Sequence, residues 1–280
     1  MRVHSRTIPY KKPGEKFTLV PFSDLHYGTT LCEKGRFIEM LKEYGRAKNT
    51  LLIGNGDYLD CIVSRDGKRF RPEAIDPELM MVDGEIQGDW IDGEVNWFCD
   101  IMQKHVSPDN LLGLGTGNHE DMILKYHSSD PVKRIARRLN APRLGYTWFY
   151  HLHFKRPGTG YQRLTVFGHH GFGGGGRTEG GTVTKYCRHA ERYEADICLY
   201  GHDHDMWVKP IVNIDGGTGR VWGNKKYVID TGTFMKTHGD DIIPTYPEIA
   251  GYPPRNLGYP VIEITTPTSK GGRFHLKGTV

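Results

Sequence analysis

Short apolar runs and segments of helical periodicity alternate along residues 17–200. Apolar residues at i, i+3, i+4 and i+7 predict helices, whereas short apolar runs that stop at polar or glycine positions predict buried strands. The predicted strands are residues 17–23, 51–53, 111–114, 164–167 and 197–200, and the predicted helices are residues 37–44, 91–105, 132–139 and 183–193.

Strand signals dominate the chain after residue 204. Four more apolar segments follow there, at residues 208–214, 227–229, 261–265 and 274–276. Strands that alternate with helices and lead into a β-rich tail predict an α/β fold, in which two packed mixed β-sheets are flanked by helices. Because no repeat or Ser/Pro linker interrupts the pattern, we expect a single domain over residues 1–280.

Two segments depart from this regular alternation. Pro21 lies inside the first apolar run and cannot donate a ladder hydrogen bond, which predicts a bulge or pairing on one side only. Residues 62–86 are charged, contain Pro72 and Pro77, and have no clean period. We interpret them as a long excursion that is a candidate cover for a site.

Composition places the chain among globular proteins, with 37% hydrophobic and 25% charged residues. No apolar run approaches the roughly 20 residues that span a bilayer, and Met1–Lys16 lacks an apolar signal core. The five cysteines form no C-x-x-C pair, so we expect reduced thiols and a cytoplasmic location. The net charge of +4 mildly favours an anionic substrate but is too small to predict a nucleic-acid surface.

Polar side chains with metal-ligand chemistry follow each of the five predicted strands. Two of these strands end in a pair at i, i+2, and residues at that spacing point to one side of an extended backbone. Strand ends on one edge of a sheet converge on a common crevice. A pair of this kind taken alone is about as often a polar surface loop as a ligand pair. The five sets are Asp24 and His26, Asp57, Asn118 and His119, His169 and His170, and His202 and His204.

These carboxylate, imidazole and amide groups, with no thiolate, suit Mn, Fe, Zn or Ni. A carboxylate with ligands on either side can bridge two metal ions about 3.5–4 Å apart. The motifs D-x-H, G-D-x-x-D, G-N-H-E, H-G and G-H-x-H occur in this order over residues 24–204. In motif order and content the chain resembles the calcineurin-like metallophosphoesterase superfamily, and the glycine-rich segment after His170 is similar to members of phage or prophage type.

The resemblance implies two divalent transition-metal ions and a metal-bridging hydroxide as the nucleophile. Manganese is the expected metal, with iron, zinc and nickel as alternatives. It implies that His119 acts on the substrate oxygens as a general acid, with Asp60 orienting it; a purely structural His119 is the alternative. His169 is predicted to be structural, with an exchange of roles with His170 left open. The implied ligands are Asp24, His26 and His204 for one metal, Asn118, His170 and His202 for the other, and Asp57 as the bridge.

The glycine-rich loop at residues 171–181 carries Arg177, which we predict to bind substrate; a flexible surface hairpin is the alternative. In the protein phosphatases that the motifs resemble, arginine follows the second acid of G-D-x-x-D, and here that position is Cys61. The missing arginine makes protein phosphatase activity doubtful and favours phosphodiesters over phosphoproteins.

We therefore expect a dinuclear metal-dependent phosphodiesterase. The alternatives are a nuclease of the DNA-repair branch, a phosphomonoesterase, or a non-catalytic metal-binding module on the same scaffold. A phosphoester substrate is the expected partner, either a nucleotide or nucleic acid, without a membrane or an obligate protein partner. The basic face of residues 133–138 is interpreted as solvated, with a phosphate-backbone contact as the alternative.

Overall fold

Two six-stranded mixed sheets form the centre of the molecule, with helices outside them, as predicted. The structure is a computed structural model, and it describes residues 1–67, 69–82, 85–86, 90–174, 178, 180–215, 221–239, 244–269 and 272–280. Within these residues no helix is both long enough and apolar enough to span a bilayer.

The first sheet has the strand order β14-β13-β2-β3-β6-β7. Its three central strands run parallel and are buried along nearly their whole length, which explains their continuous apolar sequences. The strands are β2 (Lys16–Phe22), β3 (Thr50–Gly54), β6 (Leu111–Gly115), β7 (Arg143–Gly145), β13 (Val261–Thr265) and β14 (His275–Thr279).

The second sheet has the strand order β1-β8-β9-β10-β12-β11. β10 lies between two parallel neighbours, and β11 and β12 form a long antiparallel hairpin at the edge. The strands are β1 (Arg2–Pro9), β8 (Thr147–Lys155), β9 (Tyr161–His169), β10 (Ile197–Tyr200), β11 (Met206–Asp215) and β12 (Trp222–Thr231).

The helices cover the outer faces of these sheets. α1 and α3 pack on the first sheet through Phe37, Phe98 and Phe22, and α6 packs on the second sheet through Tyr186 and Tyr200. The helices are α1 (Lys34–Tyr44), α2 (Pro77–Met80), α3 (Trp90–His105), α4 (Asn118–His127), α5 (Pro131–Arg138), α6 (Gly181–Ala190) and α7 (Tyr246–Ile249).

The main core lies between the two sheets. Leu19 and Ile53 from the first sheet belong to the same buried cluster as Trp148 and Leu199 from the second. Burying a large apolar side chain of this kind contributes about 1.5–3 kcal/mol to stability. The packed sheets therefore form a stable base, from which the loops that follow the strands extend.

Both irregular segments of the sequence have a structural explanation. β13 pairs with β2 only as far as Leu19, so Pro21 is paired on one side alone, with Ile53 of β3, as predicted. The 62–86 excursion contains a single helical turn at Pro72–Ala74, α2, and two short strands, β4 (Met81–Val82) and β5 (Glu85–Ile86). Five strands were not predicted: β1, β4, β5, β7 and β8. β8 alternates buried and half-buried residues instead of forming an apolar run.

Candidate metal centre

Five of the seven predicted ligands lie beyond the strand ends on left-handed backbone rather than extended backbone. Asp24, His26 and Asp57 have φ values of 51°, 50° and 51°, and His202 and His204 have φ values of 75° and 55°. The extended geometry assumed for the i, i+2 pairs is therefore wrong. Non-glycine residues in this region cost of order 1–3 kcal/mol each and persist where the surrounding structure holds them. Their concentration here marks the loops as a functional site.

Three of the predicted ligands form one compact group. Nε2 of His26 lies 3.0 Å from Nε2 of His204, and Oδ1 of Asp24 lies 3.8 Å and 3.4 Å from these two nitrogens. Asp24 is completely buried, and its carboxylate accepts hydrogen bonds from the Ser23 hydroxyl and from the backbone N–H of His202. Two imidazole nitrogens and a carboxylate oxygen thus face one small volume.

A second group forms around the side-chain oxygen of Asn118. This oxygen lies 3.1 Å from Nε2 of His170 and 2.7 Å from Nδ1 of His202. The other ring nitrogens donate to backbone oxygens: Nδ1 of His170 to Asn55, at 2.8 Å, and Nε2 of His202 to Gly173, also at 2.8 Å. In the neutral rings these bonds place the proton on the far nitrogen. The nitrogen that faces the group can then bind a metal ion once it is deprotonated, as in metal-binding histidines.

Asp57 lies between the two groups. Its Oδ2 is 3.0 Å from Nε2 of His170 and 3.9 Å from Nε2 of His26, and its Oδ1 accepts the backbone N–H of His119 at 3.0 Å. The side chain is only 1% exposed. A carboxylate placed between two sets of donors has the position that a bridging ligand requires.

The buried carboxylates and imidazoles strongly perturb each other's titration. Burial lowers the pKa of His26 and of His170, but the neighbouring aspartates outweigh it and raise them to about 10 and about 9. Burial raises the pKa of Asp24 and of Asp57, yet the adjacent histidines bring both below the usual range. Protons on these histidines thus balance the carboxylates in the metal-free site, and a bound cation would displace those protons.

His119 is oriented by the backbone of Asp60 rather than by its carboxylate. Nδ1 of His119 donates to the Asp60 carbonyl oxygen at 2.5 Å, while Oδ1 of Asp60 lies 3.9 Å away and is nearer to Nδ1 of His26, at 3.5 Å. The two residues lie together, and the contact uses the carbonyl oxygen of Asp60, whereas the sequence analysis expected its carboxyl group to orient the ring. Burial lowers the pKa of His119 to about 4.

The buried carboxylate of Glu120 holds the loop that carries Asp57. It accepts the backbone N–H groups of Asp57, Tyr58 and Leu59 at 3.1, 2.7 and 3.3 Å, and that of Gly117 at 2.9 Å. The last of these bonds caps α4. Burial and the nearby Asp57 carboxylate raise the pKa of Glu120 to about 7.

Arg69 belongs to the site and was missed by the sequence analysis. Its Nη1 donates to Nε2 of His119 at 3.0 Å. No local pattern in the 62–86 excursion distinguishes this arginine. The only relevant expectation was that the excursion is a candidate cover for a site.

Arg177, the predicted substrate-binding residue, lies outside the described residues. His169 accepts the Gly171 N–H and packs against Tyr146, apart from both ligand groups.

The donor set fits divalent transition metals. The groups Asp24–His26–His204 and Asp57–His170–His202 each bring their ligand atoms within 4.8 Å of one another, and His26, Asp60 and His119 form a third such group. Nδ1 of His26 is also buried with no hydrogen-bond partner among the described residues. Oxygen and nitrogen donors without thiolate match manganese, iron, zinc or nickel.

A cavity of about 500 Å³ lies over these groups. His26, Asp57 and Asn118 line it, together with Arg69 from the excursion and Tyr252 near α7. This volume is in the range of small-molecule sites, which are typically about 300–1,000 Å³. The site can therefore accommodate a phosphoryl group together with organic substituents.

No family model and no curated protein sequence matches the chain. Solved structures with a similar chain course include a metallophosphoesterase from Sphaerobacter thermophilus, with 12% identity over 93% of this chain and 88% of that one, at a TM-score of 0.35. A predicted phosphoesterase from Streptococcus pneumoniae gives 13% identity over 95% and 99% of the two chains, with a TM-score of 0.33. Vps29 from Entamoeba histolytica, solved with Zn²⁺, gives 10% identity over 94% and 98%, with a TM-score of 0.38.

These likenesses concern the scaffold alone, and the chemistry of the site rests on its own residues. The five motifs stand at the ends of strands drawn from both sheets, and their side chains meet beneath a single cavity. In the order of its motifs, the chain resembles the calcineurin-like metallophosphoesterases.

Proposed function

We propose that the protein is a dinuclear metal-dependent phosphoesterase that hydrolyses phosphodiester bonds. The observation that carries the proposal is the position of Asp57, whose Oδ2 lies 3.0 Å from His170 of one donor group and 3.9 Å from His26 of the other. When bound, two divalent cations, with manganese as the first choice, supply positive charge to the phosphoryl oxygens and lower the pKa of the attacking water.

The protein's own residues provide binding and proton transfer. Asp24, His26 and His204 would hold one cation, and Asn118, His170 and His202 the other, with Asp57 shared. His119 lies beside the groups that would face the phosphoryl oxygens, and a protonated His119 would deliver a proton to the leaving oxygen. Asp60 holds the ring of His119 through its carbonyl oxygen, at 2.5 Å, and so fixes the direction of that transfer.

Two features of the cavity support a diester substrate. Its volume of about 500 Å³ leaves room for organic groups on both sides of the phosphorus. Phe70 and Tyr252 line it, offering aromatic surface to such groups.

Cys61, in place of the arginine of protein phosphatases, is buried and contacts Glu94 instead of the cavity. The five free cysteines are consistent with the cytoplasmic location that we also propose.

The nuclease alternative receives less support from the surface. On the basic face of α5, Arg134 pairs with Asp92 of α3, and Arg138 pairs with Asp100. These ion pairs reduce the positive charge available to a phosphate backbone. A non-catalytic metal-binding module would keep the metals without turnover, which the following experiment distinguishes.

The test measures metal content and substrate preference together. Protein reconstituted with Mn²⁺ is expected to contain two metal ions per chain by elemental analysis, and Asp57→Asn is expected to lose at least one of them. Asp121→Asn, an exposed position on α4, serves as the matched control and should retain both. With the same metal, kcat/KM should be higher for bis-p-nitrophenyl phosphate than for p-nitrophenyl phosphate.

Three results would contradict the bridged centre, the diester preference and the catalytic role, respectively. A single ion that persists in Asp57→Asn would refute the bridged centre. A clear preference for the monoester would refute the diesterase assignment. A protein that retains two metals yet is inert on every mono- and diester tested would favour the non-catalytic module.

A further inference from the structure

One wall of the cavity, above the candidate metal centre, comes from Arg69, Phe70 and Arg71 of the 62–86 excursion. Phe70 stacks on Trp90 at the start of α3, with ring centroids 6.2 Å apart, and this contact fixes the wall between the two arginines. The wall therefore presents two guanidinium groups to whatever fills the cavity.

The contacts of Arg69 orient its guanidinium toward the centre. The Asp66 carboxylate accepts hydrogen bonds from Nε of Arg69 at 2.7 Å and lies 2.6 Å from its Nη2. Both contacts are to Oδ2 of Asp66, and together they direct Nη1 at His119. Nη2 also contacts the sulfur of Met122 at 3.4 Å, and Nη1 is the group nearest to the centre. Because His119 adjoins the predicted ligand Asn118, Nη1 of Arg69 lies beside the position proposed for the reacting phosphoryl group.

Arg71 differs from Arg69 in its contacts. It follows Phe70 in extended backbone, with φ −138° and ψ 113°. Its Nε is buried without a hydrogen-bond partner, and its guanidinium makes no ion pair with any residue in the described part of the chain. Arg71 lines the cavity, so its guanidinium, unpaired among the described residues, can bind an anionic ligand there.

We propose that the substrate carries a second anionic group: Arg69 binds the reacting phosphoryl group, and Arg71 binds a second phosphate on the same small molecule. This inference rests on the proposed phosphoesterase function. It assigns the substrate to nucleotide-like phosphodiesters, because the cavity also holds the aromatic side chains of Phe70 and Tyr252. The second group is proposed to be a phosphate because a planar guanidinium can bind phosphate through two parallel hydrogen bonds.

A matched pair of substrates tests the proposal. The p-nitrophenyl ester of thymidine 5′-phosphate is compared with the same ester carrying an additional 3′-phosphate. The wild-type protein should show a KM roughly tenfold lower for the compound with the 3′-phosphate, as one hydrogen-bonded charge contact supplies. Arg71→Gln should abolish this advantage, whereas Arg69→Gln should lower kcat/KM for both compounds. Arg65→Gln, an exposed position in the same excursion but outside the cavity wall, is the control and should keep the advantage.

Calorimetric binding of thymidine 3′,5′-bisphosphate and thymidine 5′-phosphate gives a readout that needs no turnover. Elemental analysis of each variant checks that its metals are retained. Arg71-dependent tighter binding of the bisphosphate to a protein without turnover would support this inference while overturning the proposed function. Equal affinities for the two ligands, or an advantage that survives Arg71→Gln, would overturn the inference and leave the phosphoesterase intact. Arg71-dependent binding of single-stranded DNA without preference for the bisphosphate would also overturn it.

Discussion

At the residue scale, two contacts fix the tautomer of His119. Arginine can only donate, so the 3.0 Å contact from Arg69 makes Nε2 of His119 the acceptor. The proton is then on Nδ1, where it is shared with the Asp60 carbonyl oxygen. A proton on Nε2 requires Arg69 to turn away, and a bound phosphoryl group offers the guanidinium an alternative partner. Substrate binding and the ability of His119 to carry a proton on Nε2 are therefore linked through the hydrogen bond from Arg69.

This geometry predicts that His119→Ala keeps its metals and loses most turnover. General acid catalysis typically contributes about 10²–10⁴ in rate, so kcat should fall by that order on alkyl phosphodiesters. The loss should be smaller on p-nitrophenyl esters, since an activated phenolate leaves without a proton. Steady-state kinetics on both ester types, with elemental analysis, measure the effect. His127→Ala, at the other end of α4, should change neither.

The metal content decides the role of His119. Because His119 also forms a possible ligand group with His26 and Asp60, loss of metal in the variant would make it a ligand and refute the general-acid assignment.

The residue types at the site could be predicted from the sequence, but their backbone could not. Aspartate and histidine after an apolar run indicate a site, because such groups are rarely placed at a buried edge without a partner. Left-handed φ at Asp24 and His202 has no comparable signal, since it results from loops that neighbouring segments hold in place. Arg69 meets His119 across 50 positions of the chain, and a contact of that range leaves no local pattern.

At the scale of elements, the apolar runs located the buried parallel strands and missed the others. β3 and β6 are buried on both faces and read as continuous apolar sequence. β8 has one half-exposed face and alternates, and β1 is largely polar because it pairs only with β8 at the sheet edge. Continuous apolar runs indicate strands that are buried on both faces. Searching for such runs therefore does not detect strands that have one solvated face.

The approach of α4 to the loop after β3 depends on the absence of a side chain at Gly117. A Cβ at this position would clash with the carboxylate oxygen and the backbone nitrogen of Asp57. Gly117→Ala must therefore displace the proposed bridging ligand, and we expect metal affinity to fall roughly 10–100-fold, as for other changes to groups that position ligands. Metal titration followed by calorimetry provides the measurement.

Gly35→Ala is the matched control for that substitution. Gly35 lies on the exposed side of α1 with nothing within 4 Å of the added carbon. Alanine in a helix interior is favoured over glycine by about 0.8–1.0 kcal/mol, so this variant should be slightly more stable and bind metal normally. Unchanged metal affinity in Gly117→Ala would show that Asp57 is not held where the proposed bridge requires it.

At the scale of the whole molecule, the site joins the two sheets. Asp24 and Asp57 follow strands of the first sheet, whereas His170 and His202 follow strands of the second. Direct bonds cross the same junction: the Ser23 hydroxyl lies 2.6 Å from that of Thr231, and the side-chain amide of Asn55 donates to the His169 carbonyl oxygen at 3.1 Å. The protonation state of the centre is therefore expected to influence global stability.

The pKa values determine the direction of that influence in the metal-free protein. The folded pKa values of His26 and His170, about 10 and about 9, exceed the ordinary value of 6.5. A group whose pKa is raised by folding contributes stability that is complete below its unfolded pKa and disappears as the pH rises through its folded pKa. Metal-free protein should accordingly lose stability progressively from about pH 7 to pH 10. Urea unfolding in the presence of EDTA across this range measures the free energy of unfolding.

Bound metal should reverse this pH dependence. Histidine binds a metal ion as the neutral imidazole, so protons compete with the cation, and metal affinity rises with pH. With saturating Mn²⁺, stability should increase over the same interval in which the metal-free protein weakens. The His170→Asn variant separates this effect from the titration of cysteines and tyrosines, because it removes one of the two histidines and should flatten the metal-free decline between pH 7 and pH 9. A metal-free wild-type protein whose stability stays constant or rises between pH 7 and pH 9 would contradict the charge balance inferred for the centre, in which protonated histidines take the place of the cations.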